Sequence, residues 1–248
     1  MIFVTGDTHG QIDYYKLKCF AQDNKYLTKK DFVIIAGDYG AIWDKDSLEA
    51  DLDEYSKLPW TTLFVDGNHE NFDIINSYPV EIWNGGKVHK IREDIIHLMR
   101  GQVFELEGKT IFTFGGGTSI DRAIRIEGLS WWRQEMPTYD DVDEADRNLA
   151  KYDKTVDYII THSCSLKTLY RMSLYPLSFK RKRRKDGKII LEQEFCVRRE
   201  KLAPCLDNAF LSSFETVKYK HWYFGHYHLD CWISENQRAI YQDVLKLE

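Results

Sequence analysis

A chain of 248 residues, 43% hydrophobic and 29% charged, has a globular composition that excludes disorder, collagen and coiled coil, and it is long enough for one large domain or two small ones. A chain of this length buries roughly 70–75% of the surface its unfolded form exposes, so it needs neither disulfides nor structural zinc, and any metal site serves function. A net charge of −5 argues against wholesale coating of nucleic acid, with the basic run at 180–185 as a local exception.

Met1 is followed at once by the strand-like Ile2-Phe3-Val4, without the apolar region of a signal peptide, and no window approaches a membrane span. The expectation is a soluble, cytoplasmic protein. Cys19, Cys164, Cys196, Cys205 and Cys231 are scattered and form no C-x-x-C pair, which fits reduced thiols.

In chain order, short β-branched or aromatic runs at 2–5, 32–36 and 61–65 alternate with helical spacing at 14–20 and 48–58, where Ser47 is placed to act as an N-cap. This alternation predicts an α/β sheet. Beyond residue 80 the strands shorten. A hairpin is predicted at 103–114 around Glu107-Gly108-Lys109, and further strands at 157–161, 221–224, 231–233 and 239–242, so the second half reads as more antiparallel. No repeat or linker interrupts the chain. The expectation is one domain over 1–248 with an insertion around 166–211.

The turns after these strands carry the chemistry: Asp7-Thr8-His9, Gly37-Asp38, Gly67-Asn68-His69-Glu70, Thr161-His162 and Gly225-His226-Tyr227-His228. In open α/β sheets the carboxyl ends of the strands define the ligand edge, so five segments aim Asp, His and Asn at one place. Imidazole and carboxylate ligands suit divalent transition metals, and one Asp can bridge two ions. Each fragment alone is an ordinary turn; five in this order, each after a strand, make a site.

The order D-x-H, G-D, G-N-H-[DE], H, G-H-x-H resembles the signature of the calcineurin-like metallophosphoesterases, unbroken from Asp7 to His228. The resemblance implies a four-layer α/β sandwich, with two central mixed β-sheets flanked by helices, and a centre of two divalent ions. Manganese comes first, with iron, zinc or nickel as alternatives. It implies that Asp7, His9 and His228 hold one ion, that Asn68, His162 and His226 hold the other, and that Asp38 bridges them. His69 then acts on the substrate, as an acid if protonated, with Glu70 fixing its imidazole. The implied reaction is hydrolysis of a phosphomonoester or phosphodiester by hydroxide bridging the ions.

The sequence departs from the phosphoprotein phosphatase branch, which places an arginine shortly after G-D and after G-N-H-[DE]; here Tyr39-Gly-Ala-Ile-Trp43 and Asn71-Phe-Asp73 follow. That weakens a protein serine/threonine phosphatase reading. Substitute phosphate contacts are expected in the stretch from Gly115-Gly-Gly117 through Arg122 and Arg125 to Trp131-Trp132-Arg133, whose tryptophans either pack on the core or stack a nucleobase. The run at 180–185, closed by Asp186-Gly187, is either a solvated hairpin tip or a lip for RNA or DNA, so a nuclease is an alternative and a nucleotide is one candidate substrate. A non-catalytic scaffold is the remaining alternative, and the intact ligand set argues against it.

Overall fold

The computed structural model describes residues 1–174, 179–183, 189–193 and 203–248. Strands β1 (Ile2–Thr5), β2 (Phe32–Ile35) and β3 (Thr61–Phe64) form at the apolar runs and pair in parallel. Parallel pairing needs crossovers, supplied by α1 (Tyr15–Asp23) and α2 (Leu48–Ser56). The Ser47 hydroxyl donates to the Asp44 carbonyl at 3.5 Å, so the expected side-chain cap on α2 is not made. After the short α3 (Phe72–Ile75) come β4 (Val80–Trp83), β5 (Gly86–Arg92) and β6 (Ile95–Leu98). They complete one edge, while β15 (Leu245–Lys246) closes the other, in the order β15-β1-β2-β3-β6-β5-β4.

The second sheet opens with the predicted hairpin of β7 (Gln102–Leu106) and β8 (Lys109–Phe114). Glu107 and Gly108 at its tip both have left-handed backbone, φ 50° and 73°, which matches the twist of a two-residue turn. Next come β9 (Tyr158–Thr161), β12 (His221–Phe224), β13 (Cys231–Trp232) and β14 (Gln237–Ala239), giving the order β13-β14-β12-β9-β8-β7. Beyond residue 80 the strands β4–β5, β5–β6 and β1–β15 of the first sheet pair antiparallel as expected, but the core of the second sheet departs from that expectation: β8–β9, β9–β12 and β12–β14 are parallel, and within this sheet only the edge strands β7 and β13 pair antiparallel. The chain returns through α4 (Tyr139–Ala150), α5 (Leu166–Leu174) and α6 (Leu206–Leu211). Helix α4 escapes notice in the sequence because it buries little more than Ala145 and Leu149, and it starts on a capping box between Thr138 and Asp141.

Side chains alternate across both sheets, and this makes the layers. Ile2 and Val4 of β1 meet Tyr158, Ile160 and Tyr223 between the sheets, whereas Phe3 faces Leu17 of α1. On the far side, Phe112, Ile159 and Trp222 pack against Leu149, Leu169 and Leu211. The result is helices, sheet, sheet, helices, the α/β sandwich with two mixed sheets. Strands β10 (Phe179–Arg183) and β11 (Ile189–Gln193) form a separate antiparallel ribbon. Part of the basic run therefore lies on β10, while Arg184, Lys185, the Asp186-Gly187 turn and Arg198-Arg199 lie outside the described residues. Among the described residues no helix is long and apolar enough to cross a membrane.

Candidate metal centre

The carboxyl ends of β1, β2 and β3 in one sheet and of β9 and β12 in the other meet at one edge. Asp7, His9 and His228 bring their ligand atoms within 4.8 Å of one another, and so do Asp38, His162 and His226. Asp38 lies between the groups: its Oδ2 is 3.3 Å from His9 Nε2 and its Oδ1 is 3.3 Å from His162 Nε2. Asn68 joins through its Oδ1, 3.1 Å from His162 Nε2. The Asp7 Oδ2 is buried with no donor hydrogen directed at it, although His228 Nε2 stands 3.0 Å away. The mutual closeness of these atoms and the set of carboxylates, imidazoles and an amide oxygen fit divalent cations.

This convergence strains the backbone. His9, Asp38, His226 and His228 all have positive φ, at 44°, 49°, 64° and 53°. Left-handed backbone at a residue with a Cβ costs about 1 kcal/mol, so the rest of the fold sustains these turns against their local preference. Gly67 answers a different need. A Cβ there would lie 2.1 Å from Asp38 Oδ1 and 2.3 Å from the Asp38 backbone nitrogen, so only glycine lets the two loops touch.

Several residues that the sequence analysis passed over orient these candidate side chains. Asp13 accepts from His9 Nδ1 at 2.7 Å, turning Nε2 toward Asp7 and Asp38, and it also accepts from the Tyr241 hydroxyl at 2.8 Å. The Tyr241 ring stacks on His228 with centroids 4.5 Å apart. Lys16, buried behind this group, donates to the carbonyls of Gly6, Asp7 and Tyr241, and burial lowers its pKa to about 8. His162 donates from Nδ1 to the Ala36 carbonyl at 3.0 Å, which ties one sheet to the other. The Asn68 amide nitrogen donates to Ser119 Oγ at 3.3 Å, and Ser119 donates in turn to the buried Glu135 at 2.6 Å. The i, i+4 spacing of His9 and Asp13 is the one local signal that could have found any of these partners.

Charge is unevenly shared. Burial alone would raise the Asp7 and Asp38 carboxyls, but the surrounding imidazoles outweigh it and hold both well below the usual carboxylate range. His9 moves the other way: burial pulls it down, yet Asp38, Asp7 and Asp13 raise it to about 9. His69 is lowered by burial, with Arg125 and His9 adding to it against Asp38. Its environment thus favours the neutral imidazole, which meets the sequence analysis on its conditional term: His69 serves as an acid only if protonated.

Other expected contacts are corrected. Glu70 does not orient His69: its carboxylate accepts from the backbone of Tyr39 at 2.7 Å and of Gly40 at 3.3 Å, bracing the Asp38 loop. The glycine-rich stretch offers no anion cradle at Gly116 or Gly117, because their N–H groups donate to the carbonyls of Asp66 and Glu135 at 2.8 and 3.2 Å. Gly117 instead gives clearance, since a Cβ there would lie 2.8 Å from His162 Cδ2. The Arg125 fork is taken by Asp121 at 2.7 and 2.8 Å, Arg133 is 79% exposed and pairs with Glu127, and Arg122 is exposed. Trp131 is half-buried. His89 and His97, outside the motifs, are buried and joined at 3.0 Å through their Nδ1 atoms, with His97 reaching Asp66 at 3.2 Å.

The family model for calcineurin-like phosphoesterases matches residues 1–230. No curated protein matches the chain. Among solved structures, the phosphopantetheinyl hydrolase from Mycobacterium tuberculosis superposes with a TM-score of 0.42 at 14% identity, covering 97% of this chain and 87% of that one. The match over nearly the whole length, together with His/Asp groups able to hold metal, shows that the chain belongs to the calcineurin-like phosphoesterase family and is a metal-dependent phosphoric ester hydrolase.

Proposed function

We propose that Asp7, His9 and His228 hold one divalent cation, that Asn68, His162 and His226 hold a second, and that Asp38 is shared between them in hydrolysis of a phosphomonoester or phosphodiester. The single observation that carries this reading is the convergence of seven ligand-type side chains from both sheets, with Asp38 set between the two groups. When bound, such ions supply positive charge at the phosphoryl oxygens and acidify the attacking water. The chain's own part is positioning and charge. Ala36 and Asp13 fix which nitrogen His162 and His9 present, and Ser119 with Glu135 turns the Asn68 oxygen inward. The His69 ring is 5.5 Å from that of His9, and the His69 backbone N–H donates to Asp38 at 2.8 Å. As a neutral imidazole it donates a hydrogen bond to a phosphoryl or leaving-group oxygen. Arg125, whose charge acts on His69, adds positive potential without gripping the phosphate.

The test is hydrolysis of an aryl phosphodiester and an aryl phosphomonoester by purified protein, stripped and refilled in turn with manganese, iron, zinc and nickel, against Asp38→Asn. Metal-dependent turnover that Asp38→Asn abolishes, with reduced occupancy of both ions, is the expected result. Near-normal turnover in that variant would overturn the assignment of Asp38.

A further inference from the structure

The two loops that carry Asp38 and Asn68 continue past the metal ligands and wall a cavity of about 470 Å³ beside them. Trp43, at the end of the Asp38 loop, faces His69 with ring centroids 6.3 Å apart and meets Trp132 edge-on at 5.4 Å. Trp132 is buried and donates from Nε1 to Asp73 at 2.8 Å, so the Asn68 loop holds it in place. Asn71 fixes Trp43 from behind, donating to its carbonyl at 2.8 Å. The third wall is Leu129, 65% exposed at the mouth, on a turn where its own N–H and that of Ser130 both donate to the Ile126 carbonyl. Arg125 braces that turn by donating to the Ser130 carbonyl at 2.9 Å while Asp121 holds its fork.

Resting on the phosphoester reading above, we infer that this cavity is the leaving-group subsite and takes a planar nitrogenous aromatic group, a nucleobase carried on its sugar. Two of the three chain segments that form it grow directly out of the loops that carry Asp38 and Asn68, so its place relative to the phosphate is set by the same backbone that sets those residues. Indole walls and an exposed leucine favour a flat apolar face, which stacking rewards without regard to which base is present. The polar lining is Asp44, Lys45, Asn71 and Asp73, whose carboxylates, beyond the Asp73 oxygen held by Trp132, accept from ring or exocyclic N–H groups while the Lys45 ammonium donates to ring nitrogens or carbonyls. An alkyl chain would leave those carboxylates facing hydrocarbon, and a bare sugar would leave the indoles uncovered. In the reaction water adds to phosphorus, the ester P–O bond breaks, and the nucleoside oxygen leaves with a proton drawn from water.

The subsite is tested by calorimetric titration of the metal-loaded protein with the non-hydrolysable methylene phosphonate analogue of adenosine 5′-phosphate and with methylphosphonate. The ratio of the two affinities reports the cavity separately from the metals. The nucleoside analogue is expected to bind at least roughly tenfold tighter, the scale of one stacked base. Trp43→Ala and the surface change Leu129→Ala should each lower that ratio severalfold, and Trp43→Phe should restore most of it. A ratio near one in the parent protein, or a ratio unchanged in both alanine variants, overturns the proposal. Aryl phosphate turnover measured on the same samples separates the two claims: turnover without a nucleoside preference sinks the subsite alone, and preference without turnover sinks the hydrolytic reading while supporting the subsite.

Discussion

Replacing Asp13 with alanine removes two hydrogen bonds at once, the 2.7 Å contact with His9 Nδ1 and the 2.8 Å contact from the Tyr241 hydroxyl. The first keeps His9 Nε2 turned to Asp7 and Asp38, and the second steadies the ring stacked 4.5 Å from His228. Partners of this kind are typically worth 10–100-fold in metal affinity, about 1.4–2.7 kcal/mol. A second effect opposes the first at neutral pH. His9 without metal is raised to about 9, with Asp13 among the causes, so near pH 7 a cation must displace its proton. Removing Asp13 lowers that pKa and eases the competition, so part of the loss is masked at pH 7 and the whole of it is exposed once the pH passes the His9 value. Chelator-buffered zinc titration of the whole protein at pH 7 and at pH 9.5 therefore should show a deficit that grows with pH. Tyr241→Phe keeps the stacked ring and should show a smaller one. Zinc affinity in Asp13→Ala equal to that of the parent protein at both pH values would refute this account of the network.

The remaining expectations concern single positions. His69→Ala should retain both ions while kcat falls by about 10²–10⁴-fold, measured as metal content beside aryl phosphate turnover; metal loss on that change would make His69 a ligand. Gly67→Ala forces a Cβ to 2.1 Å from Asp38 Oδ1 and should destabilise the fold by about 1–3 kcal/mol and lower metal content, read by urea denaturation and elemental analysis; a folded, fully loaded variant would contradict the close approach. His89 is pushed down by burial and by His97 from an ordinary 6.5 to about 4, so its contribution is present above pH 6.5 and lost as the pH falls toward 4, when the unfolded chain takes up the proton first. The urea midpoint of His89→Gln should accordingly fall less between pH 7 and pH 4.5 than that of the parent protein, and equal falls would remove His89 from the acid sensitivity.

The turn residues Asp7, His9, Asp38, Asn68, His162, His226 and His228 could be singled out from the chain alone because each follows a short apolar strand, and strand alternation is local; their division between two ions came only from the resemblance to the family signature. The parallel core of the second sheet could not. Its crossover through α4 buries only Ala145 and Leu149, with the partly buried Val142 packed against the same core, too sparse a stripe to separate from a loop. Glu70 shows the other kind of limit. Its neighbour in sequence is His69, but its carboxylate meets backbone N–H groups thirty-one and thirty residues away, at Tyr39 and Gly40.

What the sequence by itself determined was therefore the strand–turn framework and the residue types at its turns, since those depend on residue identity and near-neighbour spacing, and, through the family signature that those turns spell, the class of chemistry. Only the tertiary structure decided which polar groups are already occupied. Arg125 and the Gly116-Gly117 backbone look available for phosphate in the sequence, but Asp121, Asp66 and Glu135 hold them, and Asp13, Ser119 and Tyr241 emerge as ligand supports. The physical reason is that a buried polar group must be paired, and the partner it finds is set by which segments the sheets bring face to face.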